Sequence, residues 1–300
     1  MTDPLATSGL VVVDKPAGLT SHDVIARLRR AFGTRRVGHA GTLDPMATGV
    51  LVVGVERGTR FLAHLVAETK SYTGTIRLGS ATTTDDAEGE TVSTAAADTV
   101  TGLDDAAIAA GLADLRGDIM QKPSAVSAIK IDGKRAHERV RAGETVDIPA
   151  RPVTVHRLEV TDLRRNAGSI DIDVDVLCSS GTYIRSLARD LGAALGVGGH
   201  LTALRRTSVG PFDVTRAQPL AEITEHPELS LSLDEALAVS FPVLGVTEEE
   251  GSALAMGKWL EPRGLKGVHA AVTPDGRSVA LVKETGKRLA TVFVARPSTL

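Results

Sequence analysis

One carboxylate stands out by its setting. Asp44 lies within Gly38-His39-Ala40-Gly41-Thr42-Leu43-Asp44-Pro45-Met46-Ala47-Thr48-Gly49-Val50-Leu51, and the other residues of this stretch are suited to shaping a loop. Gly38, Gly41 and Gly49 permit backbone angles and close approaches that a side chain would block. Pro45 pushes Asp44 toward an extended conformation, so a helix is not expected to run through it. The apolar run Val50 to Val53 reads as a buried strand. A lone Asp on a glycine-rich turn ahead of a core strand suits a group that must meet a ligand. An Asp-Pro turn that caps its own backbone is the ordinary alternative. The length and specificity of the surrounding motif favour the ligand-facing reading.

Two further places combine residue types that handle a planar ring. The chain has only two tyrosines, Tyr72 and Tyr183. Lys70-Ser71-Tyr72 opens a strand, and Gly181-Thr182-Tyr183-Ile184-Arg185 ends one and starts a helix. A buried tyrosine is usually a core residue with its hydroxyl satisfied, and that reading holds for either ring taken singly. The eight histidines show no metal-ligand spacing. The single cysteine, Cys178, leaves no internal disulfide and no cysteine-rich metal site. No phosphate-binding loop of dinucleotide or ATP spacing is present, so no cofactor is expected.

The Gly38–Leu51 stretch resembles the active-site motif of the TruB family of tRNA pseudouridine synthases, Gly-His-x-Gly-x-Leu-Asp-Pro-x-Ala-x-Gly, and meets each of its fixed positions. Both tyrosine motifs are similar to the family's, and the resemblance extends over most of residues 9–210. It implies an α+β fold: a mixed, mainly antiparallel sheet with flanking helices. It implies an isomerase that converts uridine to pseudouridine in the T loop of tRNA, at position 55, without a cofactor. Asp44 would be the nucleophile. Tyr72 would stack on the flipped base and take part in proton removal, and Arg185 would be the fixed cation that keeps Asp44 ionised. His39, Tyr183 and Leu204 would contact substrate. Asp86, in the loop Thr82 to Glu90, would touch RNA or hold the pocket edge. Lys15-Pro16 matches a strand-end pair that supports the fold. The family arm usually reads Pro-Pro-x-Tyr-Ser-Ala, whereas this chain has Lys122-Pro123-Ser124-Ala125-Val126-Ser127-Ala128, and His137 stands where an aromatic is common. These departures touch the arm that would clamp RNA and leave the nucleophile loop intact.

The chemistry needs a base that has left its stack, because an enzyme acting on a base inside folded RNA must flip it out. Aromatic rings give such a base a sequence-tolerant stacking face. Two alternatives stand beside this reading. One is a protein that acts mainly as an RNA-folding module. The other is the guide-RNA-dependent relative of the family, which works in a multi-protein particle. The absence of long basic extensions favours a stand-alone enzyme, a monomer with tRNA as its partner and no obligatory protein partner.

Elements able to hold these residues can be read along the chain. Leu10 to Asp14 reads as a strand, and Thr20 with Asp23 as the start of a helix ending near Phe32. A short helix is expected over Gly58 to Ala67, a strand over Ser71 to Leu78, and alanine-rich helix from Ala95 to Arg116. A basic projecting arm is expected over about 119–150. Val153 to Thr161 and Ser169 to Leu177 alternate as strands, with Asp171, Asp173 and Asp175 on the wet face. Thr182 to Leu195 reads as a helix. The composition shifts near Leu233–Gly245, and short strands over 268–272, 278–282 and 290–294 suggest a small β-rich tail, a compact barrel. The expected division is therefore a catalytic domain over 1–240 and a PUA-like RNA-binding domain over 241–300, the latter implied by the resemblance.

Three hundred residues with 42% hydrophobic content suffice for a packed core. No apolar run approaches the ~20 residues of a membrane span, and the N-terminal residues lack the pattern of a secretory signal. A cytoplasmic, membrane-free protein is the expectation. The net charge of −3 does not advertise a nucleic-acid binder. Its distribution is more telling. Arg27 to Arg60 carries a local excess of +5 and Lys122 to Arg165 one of +4, whereas Asp85–Asp118 and Glu222–Glu250 each carry −8. The basic segments could meet phosphates, and the acidic ones are expected to face away.

Overall fold

The computed structural model describes residues 5–66, 68–127, 130–131, 134–135 and 148–299. Much of the expected arm, His137 included, lies outside the described residues. The chain forms two compact units: Met1–Pro45, Gly49–Ala67 and Ser208–Leu300 make the first, and Met46–Thr48 with Glu68–Thr207 the second.

The chain starts with β1 (Gly9–Lys15), α1 (Ser21–Ala31), β2 (Val37–His39), β3 (Thr48–Val55) and α2 (Leu62–Val66). Thr20 and Asp23 close a reciprocal capping box at the start of α1, and Arg29 and Arg30 in its last turn suit the negative end of the helix dipole. The helix expected over 58–67 is instead a 3₁₀ stretch, Glu56–Phe61, followed by α2. Next come β4 (Lys70–Leu78), β5 (Ser80–Thr82), β6 (Thr91–Thr94), α3 (Ala97–Thr101) and α4 (Asp105–Asp114). The continuous helix expected over 95–116 is thus broken. Gly102 closes α3, and the Asp104 carboxylate accepts from the Ala107 amide at 2.7 Å to begin α4.

Four strands follow: β7 (Gly117–Gln121), β8 (Lys130–Ile131), β9 (Lys134–Arg135) and the long β10 (Arg151–Asn166). Then come β11 (Ser169–Cys178), α5 (Ile184–Ala194), β12 (Gly199–Val209), β13 (Phe212–Asp213) and β14 (Gln218–Pro219). The chain ends with α6 (Leu220–Glu225), β15 (Leu231–Ser232), α7 (Leu233–Ser240), β16 (Val243–Gly245), α8 (Glu248–Ala255), β17 (Val268–Val272), β18 (Ser278–Thr285) and β19 (Arg288–Val294).

In the first unit β1 is central. It pairs antiparallel with β3 from Gly9↔Val55 to Lys15↔Gly49, and on its other edge with β14 and β15. Leu10 to Val13 and Val50 to Val53 are fully buried, as their apolar runs require. The tail carries a four-stranded sheet in the order β16-β17-β18-β19, a linear ladder in place of the expected barrel. Val246, Leu254, Val279, Val282 and Leu289 form its apolar cluster. The acidic run Glu222–Glu250 supplies first-turn carboxylates to α6, α7 and α8, where they complement the positive helix ends.

The second unit is built on β12-β4-β11-β10-β7, with β4, β11, β10 and β7 antiparallel in succession. Asp171, Asp173 and Asp175 do alternate along β11, but Asp171 is buried and not on a wet face. They are met by Arg77 at 2.7 Å, Arg164 at 2.6 Å and Arg157 at 2.5 Å. These partly exposed pairs are each worth about 1 kcal/mol or less. They join β11 to its neighbours β4 and β10 on that face. No described helix is long and apolar enough to cross a membrane.

Helix α5 meets the chain that leads into β12 at a close approach of glycines. A Cβ on Gly192 would fall 2.1 Å from both the Gly198 carbonyl carbon and the Gly199 nitrogen. Gly192→Ala is therefore expected to destabilise the protein by about 3 kcal/mol, near the upper range for overpacking. Gly245→Ala, with open space around that position, should stay within about 0.5 kcal/mol of wild type. Urea unfolding of the two variants checks this.

Candidate active site

In the first unit, the backbone on both sides of Asp44 is pinned. The Ser21 hydroxyl accepts from the Leu43 amide at 2.9 Å and donates to the Leu43 carbonyl at 3.1 Å. The carbonyl of Pro45 accepts from the Gly18 amide at 2.8 Å and from the Lys15 ammonium at 3.2 Å. Lys15 has no exposed surface and also donates to the carbonyls of Pro16, at 2.9 Å, and Leu19, at 2.7 Å. Buried charge is tolerated when acceptors surround it, and here the acceptors are two carbonyls of the turn that leads away from β1 and the Pro45 carbonyl of the Asp44 loop. Gly41 and Gly49 take φ values of 93° and 99°, which a side chain would resist. Asp44 is half-buried, in chain with no regular structure. His39 closes β2 opposite Val53, with its ring edge-on to His22 at 6.0 Å.

In the second unit, Tyr72 is buried on β4, opposite Val176 of β11. Leu204, on β12, is buried with a methyl group over Gly74. It also lines a cavity of about 450 Å³ with Thr73, Thr75, Thr202 and Arg205. Tyr183 is half-buried and stands immediately before α5. Its amide donates to the side chain of buried Gln121 at 2.8 Å, and Gln121 returns a bond to its carbonyl at 3.1 Å.

Arg185 and Asp86 are brought together. Arg185 is the second residue of α5, and its side chain is 4% exposed, as is that of Asp86. Its Nη1 lies 3.4 Å from the Asp86 carboxylate and donates to the Thr84 carbonyl at 2.8 Å, while Nη2 donates to the Val126 carbonyl at 3.0 Å. Asp86 in turn accepts from the Thr84 hydroxyl at 2.5 Å and the Glu88 amide at 3.1 Å. An acidic segment expected to face away thus turns one carboxylate inward. A buried guanidinium requires it.

Lys70 sits two residues before Tyr72, buried, with its ammonium donating to the Glu68 carbonyl at 2.9 Å. Burial, reinforced by the charge of Arg206, lowers its pKa to about 8. Burial likewise pushes the Cys178 thiol up to about 11. Sequence reasoning missed Ser21, Gln121 and the Thr84 and Val126 carbonyls. Main-chain acceptors carry no signature in residue type, and a lone Ser or Gln has too many ordinary uses to be singled out.

The sequence profile described as the TruB family pseudouridylate synthase N-terminal domain matches residues 29–184. Two further profiles match residues 185–238, the tRNA pseudouridylate synthase B C-terminal domain, and residues 241–296, the C-terminal part of tRNA pseudouridine synthase II. A protein of Corynebacterium efficiens named tRNA pseudouridine synthase B is 73% identical over the whole of both chains. One of the same name from Nocardia farcinica is 59% identical over 99% of this chain and 96% of its own. Among solved structures, a Cbf5-Nop10-Gar1 complex contains a chain similar at a TM-score of 0.72 and 26% identity, covering 98% of this chain and 87% of that one.

Two outcomes follow from the charges. Asp86→Ala removes the carboxylate facing a buried guanidinium and is expected to cost about 3 kcal/mol in urea unfolding. Lys70 gives a pH test. The unfolded chain keeps this proton up to about its ordinary 10.5, while the folded chain releases it near 8. Between those values the unfolded state binds more protons, so this group's destabilising effect is complete below about 8 and fades as pH rises. Replacing Lys70 by Met should therefore help stability more at about pH 7.5 than at about pH 9.5. A difference between wild type and Lys70→Met that does not change with pH would contradict the buried-ammonium account.

Proposed function

The chain belongs to the TruB family of pseudouridylate synthases, and on that premise we propose that it isomerises uridine to pseudouridine at position 55, in the T loop of tRNA. The full-length similarity to proteins named tRNA pseudouridine synthase B supports tRNA as the substrate and weighs against the guide-dependent alternative. The observation that carries the reading is the pinned loop. Ser21 and Lys15 fix the main chain on either side of Asp44, so that the fold sets the position from which this carboxylate projects. A catalytic group held in place before substrate arrives needs no ordering in the transition state.

Substrate and product contain the same atoms. The bond from the ribose to N1 of uracil breaks, the base turns, and a bond from C5 to the ribose replaces it. The proton on C5 leaves and N1 gains one. No oxidant or energy source is consumed. In our reading Asp44 is the nucleophile that attacks the flipped nucleotide. Tyr72 stacks on the base and assists removal of the C5 proton. Arg185 supplies a permanent positive charge that opposes the rise in carboxylate pKa a closed pocket would cause. Tyr183 and Leu204 wall the pocket, His39 fills the gap left by the flipped nucleotide, and Asp86 holds Arg185. We assign residues 1–240 to catalysis, with the arm about 119–150, and 241–300 to a PUA-like RNA contact. The break between the profile matches at 238 and 241 supports that division. The protein would work as a monomer in the cytoplasm with tRNA as its partner.

Mass-shift mapping of pseudouridine on unmodified tRNA transcripts, with purified protein and nothing added, is expected to find product at the T-loop uridine. Tight tRNA binding without product would favour the guide-dependent or RNA-folding alternatives. Asp44→Asn is expected to lower product formation at least about a thousandfold while tRNA binding survives. Retained activity in that variant would remove Asp44 from the nucleophile role.

A further inference from the structure

Arg185 does not stand alone on α5. Arg189, four residues on and one helical turn away, shares its face. The two guanidiniums reach the same pair of segments. Arg185 donates to the Thr84 and Val126 carbonyls and lies by Asp86. Arg189 donates to the Lys122 carbonyl at 2.6 Å through Nη2, while its Nη1 meets the Asp85 carboxylate at 3.3 Å. Its Nε bonds to the neighbouring Asp190 at 2.8 Å. Both arginines thus tie the loop 84–86 on one side and the chain 122–126 on the other to one helix.

Asp85 is the unusual member. Its φ is +61°, a left-handed conformation that L-residues rarely adopt and that Asp and Asn tolerate best. The main chain around it is bonded across to β12: the Leu201 amide donates to the Asp85 carbonyl at 3.0 Å, and the Ala87 amide to the Leu201 carbonyl at 2.8 Å. This twist has a geometric result. The residue before Asp85 turns its carbonyl, and the residue after it turns its carboxylate, onto the same Arg185 guanidinium. In an ordinary extended chain, a carbonyl and a side chain two residues apart would not both converge on one group.

We propose that the Arg189–Asp85 ion pair is a positioning device. It holds Asp85 in its left-handed conformation and the chain at Lys122 against α5, and so aligns the Thr84 and Asp86 oxygens that orient Arg185. Arg189 is a positioning residue, acting on the reaction only through Arg185. The consequence for turnover rests on the reading that Arg185 serves the reacting base.

The test uses the full chain with Arg189→Gln, Asp85→Asn, their combination, and Arg189→Lys. Asn tolerates the left-handed region as Asp does, so Asp85→Asn isolates the charge. Two readouts are needed: the single-turnover rate of pseudouridine formation at saturating tRNA, with tRNA affinity measured beside it, and amide hydrogen exchange at Ala87 and Leu201. Each of the first two variants is expected to slow the single-turnover step about tenfold, with affinity within about threefold of wild type. The combination should be no slower than the worse single variant, because both remove one interaction. Arg189→Lys should recover part of the rate by restoring the charge. Exchange at Ala87 and Leu201 should quicken about tenfold in Arg189→Gln. Wild-type exchange at those amides in Arg189→Gln overturns the proposal. So does an unchanged single-turnover rate, even with faster exchange. A wild-type protein that makes no pseudouridine overturns the functional reading instead, and the exchange comparison then decides the clamp by itself.

Discussion

A positive charge taken out of water must be met by acceptors already fixed in place, and Arg185 imposes that demand on the second unit. Its guanidinium is 4% exposed. The Coulomb attraction of one carboxylate at 3.4 Å does not offset such desolvation without further hydrogen bonds. The further bonds come from main-chain carbonyls at Thr84 and Val126. Those carbonyls belong to two loops that the cation ties to one helix. Helix α5, the 82–90 loop and the chain after β7 are therefore one electrostatic unit. None of the three can move without exposing or orphaning a charge.

The first unit uses the same physics on a smaller scale. The fully buried ammonium of Lys15 gathers the carbonyls of Pro16, Leu19 and Pro45. An ammonium has three donors and no directional fork, so it can draw three carbonyls from different turns to one point. The cost of burying it is offset by bonds that also fix the Asp44 loop. In both units a buried cation organises main chain, and the organised main chain presents a carboxylate.

The strands and the nucleophile loop were legible in the sequence because they rest on pattern. Leu10–Val13 and Val50–Val53 are apolar without interruption and had to be buried on both faces. The Asp44 motif is long, and eight of its twelve positions are fixed. What the sequence hid rests on long-range partners. Nothing in Ser21 marks it as the clamp on Leu43, since it reads as the first residue of an ordinary helix. The alanine-rich stretch 95–116 reads as one helix because helix propensity is local and strong there. The break comes from Asp104, whose side chain competes for a backbone amide three residues on. The tail strands were legible, but α7 and α8 were not, because short helices begun by capping boxes at Ser232 and Thr247 have little room for a periodic apolar face.

Summed charge misled most, and the reason is specific. The segment Asp85–Asp118 carries −8 and was expected to face away from RNA. Its first two residues instead face inward to Arg185 and Arg189. In the basic segment, Arg157 and Arg164 are engaged with Asp175 and Asp173, and Arg165 with Asp105. A charge neutralised within the fold adds little to the potential a phosphate feels beyond a Debye length of about 10 Å. The field available to RNA is set by which charges the fold leaves uncommitted. That depends on pairings between residues far apart in the chain, so no sum over a sequence window can give it.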